Sequence, residues 1–139
     1  MYEKIFLAGN LGRDPEMRYT PNGTAVTNFS VATNERWTTQ DGQQQERTIW
    51  WRVKVWGSQA ETVSQYLSKG SRVFIEGRMD PDPETGGPRV WTGNDGQARA
   101  SFEIVARTVK VVGRSGGTAR FDELSDEDIP PEAFFGESS

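Results

Sequence analysis

The sequence predicts an all-β fold: a five-stranded barrel with one helix between the third and fourth strands, followed by a disordered tail. Three observations carry this prediction. Short runs with apolar residues at every second position are separated by clusters of Gly, Pro, Asn and Asp, the pattern of strands joined by turns. A single segment, Ser58 to Leu67, switches to helical spacing. The composition then changes at Gly113, dividing the chain into a folded domain over residues 1–112 and a linker with an acidic tail over 113–139.

The first strand is Lys4 to Ala8, ending at Gly9-Asn10, and Gly12 to Pro15 is a loop. Met17-Arg18-Tyr19 is a short extended piece before Thr20-Pro21-Asn22-Gly23. Proline presets one backbone dihedral and Asn-Gly tolerates positive φ, so this tetrapeptide turns the chain. Ala25 to Asn34 is the second long run, with Thr27, Phe29, Val31 and Thr33 on one face. Thr38 to Arg47 is polar throughout and carries Asp41-Gly42, which reads as an extended hairpin loop with a mobile tip.

Thr48 to Gly57 is the next strand and the most informative stretch of the chain. Alternation splits it into Ile49, Trp51, Val53 and Val55, which are wholly apolar, and Trp50, Arg52, Lys54 and Trp56, in which two aromatics bracket two cations. The first set suits a core. The second suits single-stranded nucleic acid, because bases stack on rings while cations follow phosphates. It equally suits a sheet buried on both faces, with Arg and Lys lying along the rings as cation–π pairs.

In the helix, Ala60, Val63 and Leu67 fall on one face, Ser58 and Glu61 fit a capping box, and Gly70 supplies the stop. Arg72 to Met79 is a strand with Val73 and Ile75 on one face and Phe74, Glu76 and Arg78 on the other. Asp80 to Pro88 contains three prolines, which cannot donate to a ladder, so it is an excursion. Its three acids repel phosphate, and it is expected to point away from any nucleic-acid path. Arg89 to Thr92 and the turn at Gly93 to Gly96 form a second long hairpin. Ala100 to Val112 is the last strand, alternating Phe102, Ile104 and Ala106, then Val109 and Val111. Trp37 sits beside Arg36 at the root of the first hairpin, and Trp91 sits beside Arg89 in the second. Each isolated ring is either a cap on the core edge or a stacking platform.

Composition narrows the chemistry. The 139 residues contain no cysteine and no histidine. Disulfides and thiolate metal sites are excluded, and the commonest general base and metal ligand is missing. No reactive constellation is present, so neither an enzyme nor a cofactor or metal is expected. No apolar run approaches a membrane span, and the short apolar block at Met1 to Leu7 is not a signal peptide, so a cytoplasmic protein is expected.

The net charge of −4 would argue against a nucleic-acid partner if it were evenly spread. It is not. Residues 1–112 hold 14 basic and 13 acidic side chains, whereas 113–139 hold two arginines and seven acids. Gly113, Ser115, Gly116 and Gly117 read as a flexible linker, followed by Asp126-Glu127-Asp128-Ile129-Pro130 and then Phe134-Phe135. Such a tail either solubilises the chain or docks a partner.

A five-stranded barrel with its helix between strands three and four is the OB-fold, whose strand face and hairpin loops bind single strands. The resemblance then becomes specific. Gly9-Asn10-Leu11-Gly12-Arg13-Asp14-Pro15, Arg18-Tyr19-Thr20-Pro21-Asn22-Gly23, the Trp50 to Gly57 strand, Tyr66-Leu67-Ser68-Lys69-Gly70 and Ile75-Glu76-Gly77 together resemble the bacterial-type single-stranded DNA-binding proteins (SSB). The likeness covers residues 1–112 almost continuously.

That resemblance implies a homotetramer of OB-folds that wraps single-stranded DNA without sequence preference. It also implies recruitment of replication, recombination and repair proteins, and a nucleoid-associated place in the cytoplasm. The family's stacking aromatics match Trp37, Trp50, Trp56 and Trp91. Arg18, Arg36, Arg52, Lys54, Lys69, Arg78, Arg89 and Arg99 are the candidate phosphate contacts, because a polyanion needs a local positive field.

The chain also departs from the family. Position 56 is commonly Phe. Position 51 commonly carries His near a subunit contact, and Trp51 is expected at the core or at such a contact. Family tails typically finish in Ile-Pro-Phe at the C-terminus, whereas here Pro131 follows Ile129-Pro130 and Phe134-Phe135 stand in for the aromatic tip. An OB-fold adaptor for RNA or a primosome-type complex, and a purely structural assembly protein, remain as alternative readings.

Overall fold

A computed structural model describes residues 2–114. The elements are β1 (Ile5–Leu11), β2 (Glu16–Tyr19), β3 (Ala25–Thr38), β4 (Gln44–Trp56), α1 (Ser58–Tyr66), β5 (Ser71–Met79), β6 (Arg89–Thr92) and β7 (Ala98–Arg114). The sheet runs β1-β5-β7-β4-β3-β2, and β1 also pairs with β3 through Asn10↔Ala32 and Leu11↔Val31. This second pairing closes β1, β5, β7, β4 and β3 into a five-stranded barrel, with β4 and β7 parallel and the other pairs antiparallel. The helix lies between the third and fourth barrel strands. The short strands β2 and β6 hang on its outside, against β3 and β7.

Closure depends on Gly9. A side chain there would collide with the Ala32 carbonyl oxygen and would come within 2.8 Å of a Val31 methyl. The absence of a Cβ lets β1 continue past Ala8 to Leu11 and reach both neighbours. The strand thus ends three residues beyond the point its sequence pattern suggests.

The core is filled by the predicted alternating set. Val31, Val53, Val55, Val73, Ile75 and Ile104 are essentially inaccessible, joined by Leu7, Leu11 and Phe29. Each is worth about 1.5–3 kcal/mol by burial. From α1, Ala60 and Val63 close one end of the barrel, and Leu67 follows them into it. Thr27 points inward as its alternation requires, and its hydroxyl donates to the Ala60 carbonyl at 2.7 Å, which seats the helix. Trp51 packs against the core. Its indole N–H donates to Thr33 Oγ1 at 2.9 Å, and its ring lies 5.3 Å from Phe102.

Several local expectations are corrected. The capping box does not form: Gly57 is the N-cap at φ 76°, Ser58 already lies in the helix, and no side chain caps it. A positive φ places the chain reversal at glycine itself. The helix stops at Tyr66, with the Leu67 N–H bonded to the Val63 carbonyl, so Gly70 belongs to the turn into β5. Half of the polar segment Thr38 to Arg47 is ladder. β3 and β4 pair without a break out to Thr38↔Gln44, leaving a turn at 39–43. Cross-strand partners such as Arg47–Glu35 at 2.7 Å and Thr48–Asn34 at 2.8 Å replace apolar packing there. Finally, β7 runs on to Arg114, because Gly113 and Arg114 pair with Arg72 and Ser71.

Candidate nucleic-acid interface

β4 builds the site. Its unbroken register with β3 sets Trp56, Lys54, Arg52 and Trp50 opposite Val26, Asn28, Ser30 and Ala32. The side chains of Trp50 and Trp56 are 53% and 44% exposed, which removes the reading of a sheet buried on both faces. The rings are six positions apart, about 20 Å along a strand. Between them Arg52 is exposed and Lys54 half-buried. Trp50 lies over Gly12, where a Cβ would come within 2.5 Å of the ring, so the β1–β2 loop forms its floor.

The second hairpin reaches the same face. β4 pairs in parallel with β7 through Arg52↔Glu103 and Lys54↔Val105, and β6 pairs with β7 through Trp91↔Arg99 and Arg89↔Ser101. Trp91 is thereby brought beside β4, and the Arg52 guanidinium sits 4.6 Å from its ring centroid. Lys54 stands 5.9 Å from the Trp56 centroid. Trp50, Trp56 and Trp91 therefore share one surface with two cations threaded between them.

Trp37 is placed differently. Alternation along the ladder puts it with Glu35, Arg47 and Trp51, on the opposite face of the β3–β4 ribbon from Trp50. It is 42% exposed and pairs with Gln45 next to the end of the β3–β4 ladder. Arg47, from the facing strand, lies 5.1 Å from its ring centroid. Sequence reading missed Arg47 because it is ten residues away. Folding the strand pattern back about Asp41-Gly42 would have set it opposite Glu35.

The candidate cations are dispersed. Arg18, Arg52 and Lys54 line a groove of about 390 Å³ across the face, together with Arg13, which sequence reading also passed over. The same groove is lined by Asp14, Glu16, Asp80 and Glu103, so four cations meet four carboxylates. Arg18 lies 3.8 Å from Glu16. Arg78 is exposed in an adjoining cleft with Trp56 and Arg107. Lys69 is exposed at the far end, its backbone N–H donating to Asp14 Oδ1 at 2.7 Å. Arg99 is held by Asp95 at 2.7 Å across the β6–β7 turn. Arg36 lines the outer hairpin with Trp37 and Arg47.

Arg89 reaches Asp80, at 3.3 Å, and Glu103, at 3.9 Å. Asp80 itself overturns the expectation that the acids of the 80–88 excursion point away from this face. Its backbone N–H donates to the Glu103 carbonyl at 2.8 Å, which pins the residue onto β7, and its carboxylate also accepts from Lys54 at 3.5 Å.

Among the described residues no cluster of three or more carboxylates is arranged to hold a metal ion, and no helix is long and apolar enough to cross a membrane. The tail residues Asp126, Glu127, Asp128, Ile129, Pro130, Phe134 and Phe135 lie outside the described residues.

A sequence model of the Single-strand binding protein family matches residues 2–112. Single-stranded DNA-binding proteins from two Neisseria meningitidis strains, of serogroups A and B, are each 44% identical over 123 residues, covering 86% of this chain and 67% of theirs. Among solved structures, the Plasmodium falciparum SSB complex with ssDNA is similar with a TM-score of 0.62 and 30% identity, over 76% of this chain and 86% of that one. A deletion mutant of the Thermus aquaticus single-stranded DNA-binding protein gives 0.62 and 32%, over 78% of this chain and 49% of its own.

Proposed function

The chain belongs to the single-strand binding protein family, and from that premise we propose that it binds and protects single-stranded DNA without sequence preference, with no covalent chemistry. The observation that carries the mechanism is the shared surface of Trp50, Trp56 and Trp91 with Arg52 and Lys54 between the rings. Bases stack on the exposed rings of Trp50 and Trp56 and on the half-buried ring of Trp91, each stack being worth about 1–3 kcal/mol, while the cations meet phosphates. Duplex is refused because paired bases present no free faces. Trp37, with Arg36 and Arg47, offers a second platform on the other side of the hairpin, which a strand reaches only by wrapping around the β3–β4 ribbon.

Arg18, Lys69, Arg78, Arg89 and Arg99 complete the phosphate set of this reading. The protein acts as a homotetramer in the cytoplasm, associated with the nucleoid. The domain of residues 1–112 holds the DNA. The segment 113–139, through Asp126 to Pro130 and Phe134-Phe135, recruits replication, recombination and repair proteins.

The test is a tryptophan-fluorescence titration with poly(dT), poly(U) and duplex DNA, with a mass measurement of the free protein. Strong quenching by poly(dT), weakened by salt and absent with duplex, is the expected result. Tighter binding to poly(U) than to poly(dT) would favour the RNA adaptor, and no quenching by any of them would sink stacking.

A further inference from the structure

Asp80 engages two cations of the candidate face, Lys54 from β4 and Arg89 from β6. Its carboxylate is only 17% exposed and holds Lys54 Nζ at 3.5 Å through one oxygen and Arg89 Nη2 at 3.3 Å through the other. Its position is not an accident of a loose loop. The Asp80 N–H is bonded to the Glu103 carbonyl, and Pro81 then ends the ladder because it has no donor. Asp80 therefore stands one residue past the end of β5, still bonded to β7, with its carboxylate on the β4 cation Lys54.

Both its contacts are long for charge-assisted hydrogen bonds, which favour about 2.7–2.9 Å. Arg89 Nε is buried without a hydrogen-bond partner, 3.9 Å from Glu103. The two cations are thus held by charge more than by fitted geometry, and a phosphate can draw them away at low cost.

We infer that Asp80 is a built-in competitor for phosphate, which occupies Lys54 and Arg89 in the free protein and lowers both the affinity for single-stranded nucleic acid and its salt dependence. This rests on the single-strand reading above. Binding requires the two cations to exchange Asp80 for phosphate, so fewer counterion releases appear in the salt slope than the number of cations on the face. Arg52, stacked on Trp91 and without an ion pair among the described residues, remains the cation available at first encounter.

The experiment compares the full-length protein with Asp80→Asn and Glu84→Gln by quenching titration with oligo(dT) across a salt series. Glu84 is an exposed acid of the same excursion, which controls for net charge. Asp80→Asn is expected to bind about tenfold more tightly at low salt. Its log K against log salt slope should steepen by about 0.7 for each cation released, up to about 1.4 for both. Glu84→Gln is expected to change neither. Asp80→Ser gives the same gain if the amide itself disturbs the site, and thermal melts establish that each variant is folded. Unchanged or weaker binding by both folded Asp80 variants overturns the inference, as does an equal gain in Glu84→Gln. Failure of the unmodified protein to quench would instead overturn the single-strand reading.

Discussion

The Arg52 guanidinium lies 4.6 Å from the centroid of the Trp91 ring, joining a cation from β4 to an aromatic from β6 that no backbone pairing links directly. Each group orients the other. Trp91→Ala is expected to weaken single-stranded DNA binding by about 1–3 kcal/mol. Combined with Arg52→Ala, the loss should fall short of the sum of the single losses by about 0.5–1 kcal/mol. Quenching titrations of the double-mutant cycle measure this, and strict additivity would show the stack to be idle.

Trp56 is 44% exposed at the end of β4. Trp56→Ala is expected to lose about 1–3 kcal/mol of single-strand affinity. The far-UV circular dichroism and melting temperature should stay close to those of the unmodified chain. A collapse of the melt would mean that Trp56 supports the fold.

Two glycines separate site from scaffold. At Gly12 the three atoms nearest to an added methyl all belong to the Trp50 ring, an exposed side chain. Gly12→Ala should fold normally, bind single strands more weakly, and shift Trp50 emission. At Gly77 the methyl meets the Val105 carbonyl oxygen and comes within 3.0 Å of the Ala106 Cα, at the point where the β5–β7 register slips. Gly77→Ala is expected to lose about 1–3 kcal/mol of stability in denaturant unfolding, as overpacking of a rigid neighbour does.

Lys4 and Glu76 tie the edge of β1 to β5 at 2.8 Å. The hydrogen bond from Lys4 holds the Glu76 carboxyl below its ordinary value of 4.5, with burial opposing. The same bond, with a second that Lys4 donates to the Tyr2 oxygen, raises Lys4 above 10.5. A lowered carboxyl pKa stabilises the fold above pH 4.5, and that contribution is lost as pH falls through the folded-state value. The Lys4 contribution is present below pH 10.5 and is lost as pH rises through its raised value. Glu76→Gln should therefore melt lower at neutral pH and lose less on acidification below pH 4.5 than the unmodified chain. Parallel melting curves at every pH would contradict this.

Alternation was legible wherever burial enforces it. The β4 split into Val53-Val55 and Trp50-Arg52-Lys54-Trp56 survives intact, because a slip of one residue would send every tryptophan to the wrong side. Strand lengths were less legible. β1 reaches Leu11 because Gly9 admits the Ala32 carbonyl, and the polar hairpin forms a ladder through pairs such as Arg47–Glu35; neither effect leaves an apolar period to read.

The amino-acid sequence by itself determined the barrel, its helix, the inward-facing core and the aromatic, cationic face of β4, since all of these follow from local periodicity and side-chain chemistry. Only the tertiary structure decided which cation meets which partner. It set Arg47 over Trp37, Arg52 over Trp91, and Asp80 onto Lys54 and Arg89. Those choices depend on strand register and on the parallel β4–β7 pairing. Coulombic and cation–π energies depend on distances between residues far apart in the chain, and neighbours in sequence do not set those distances.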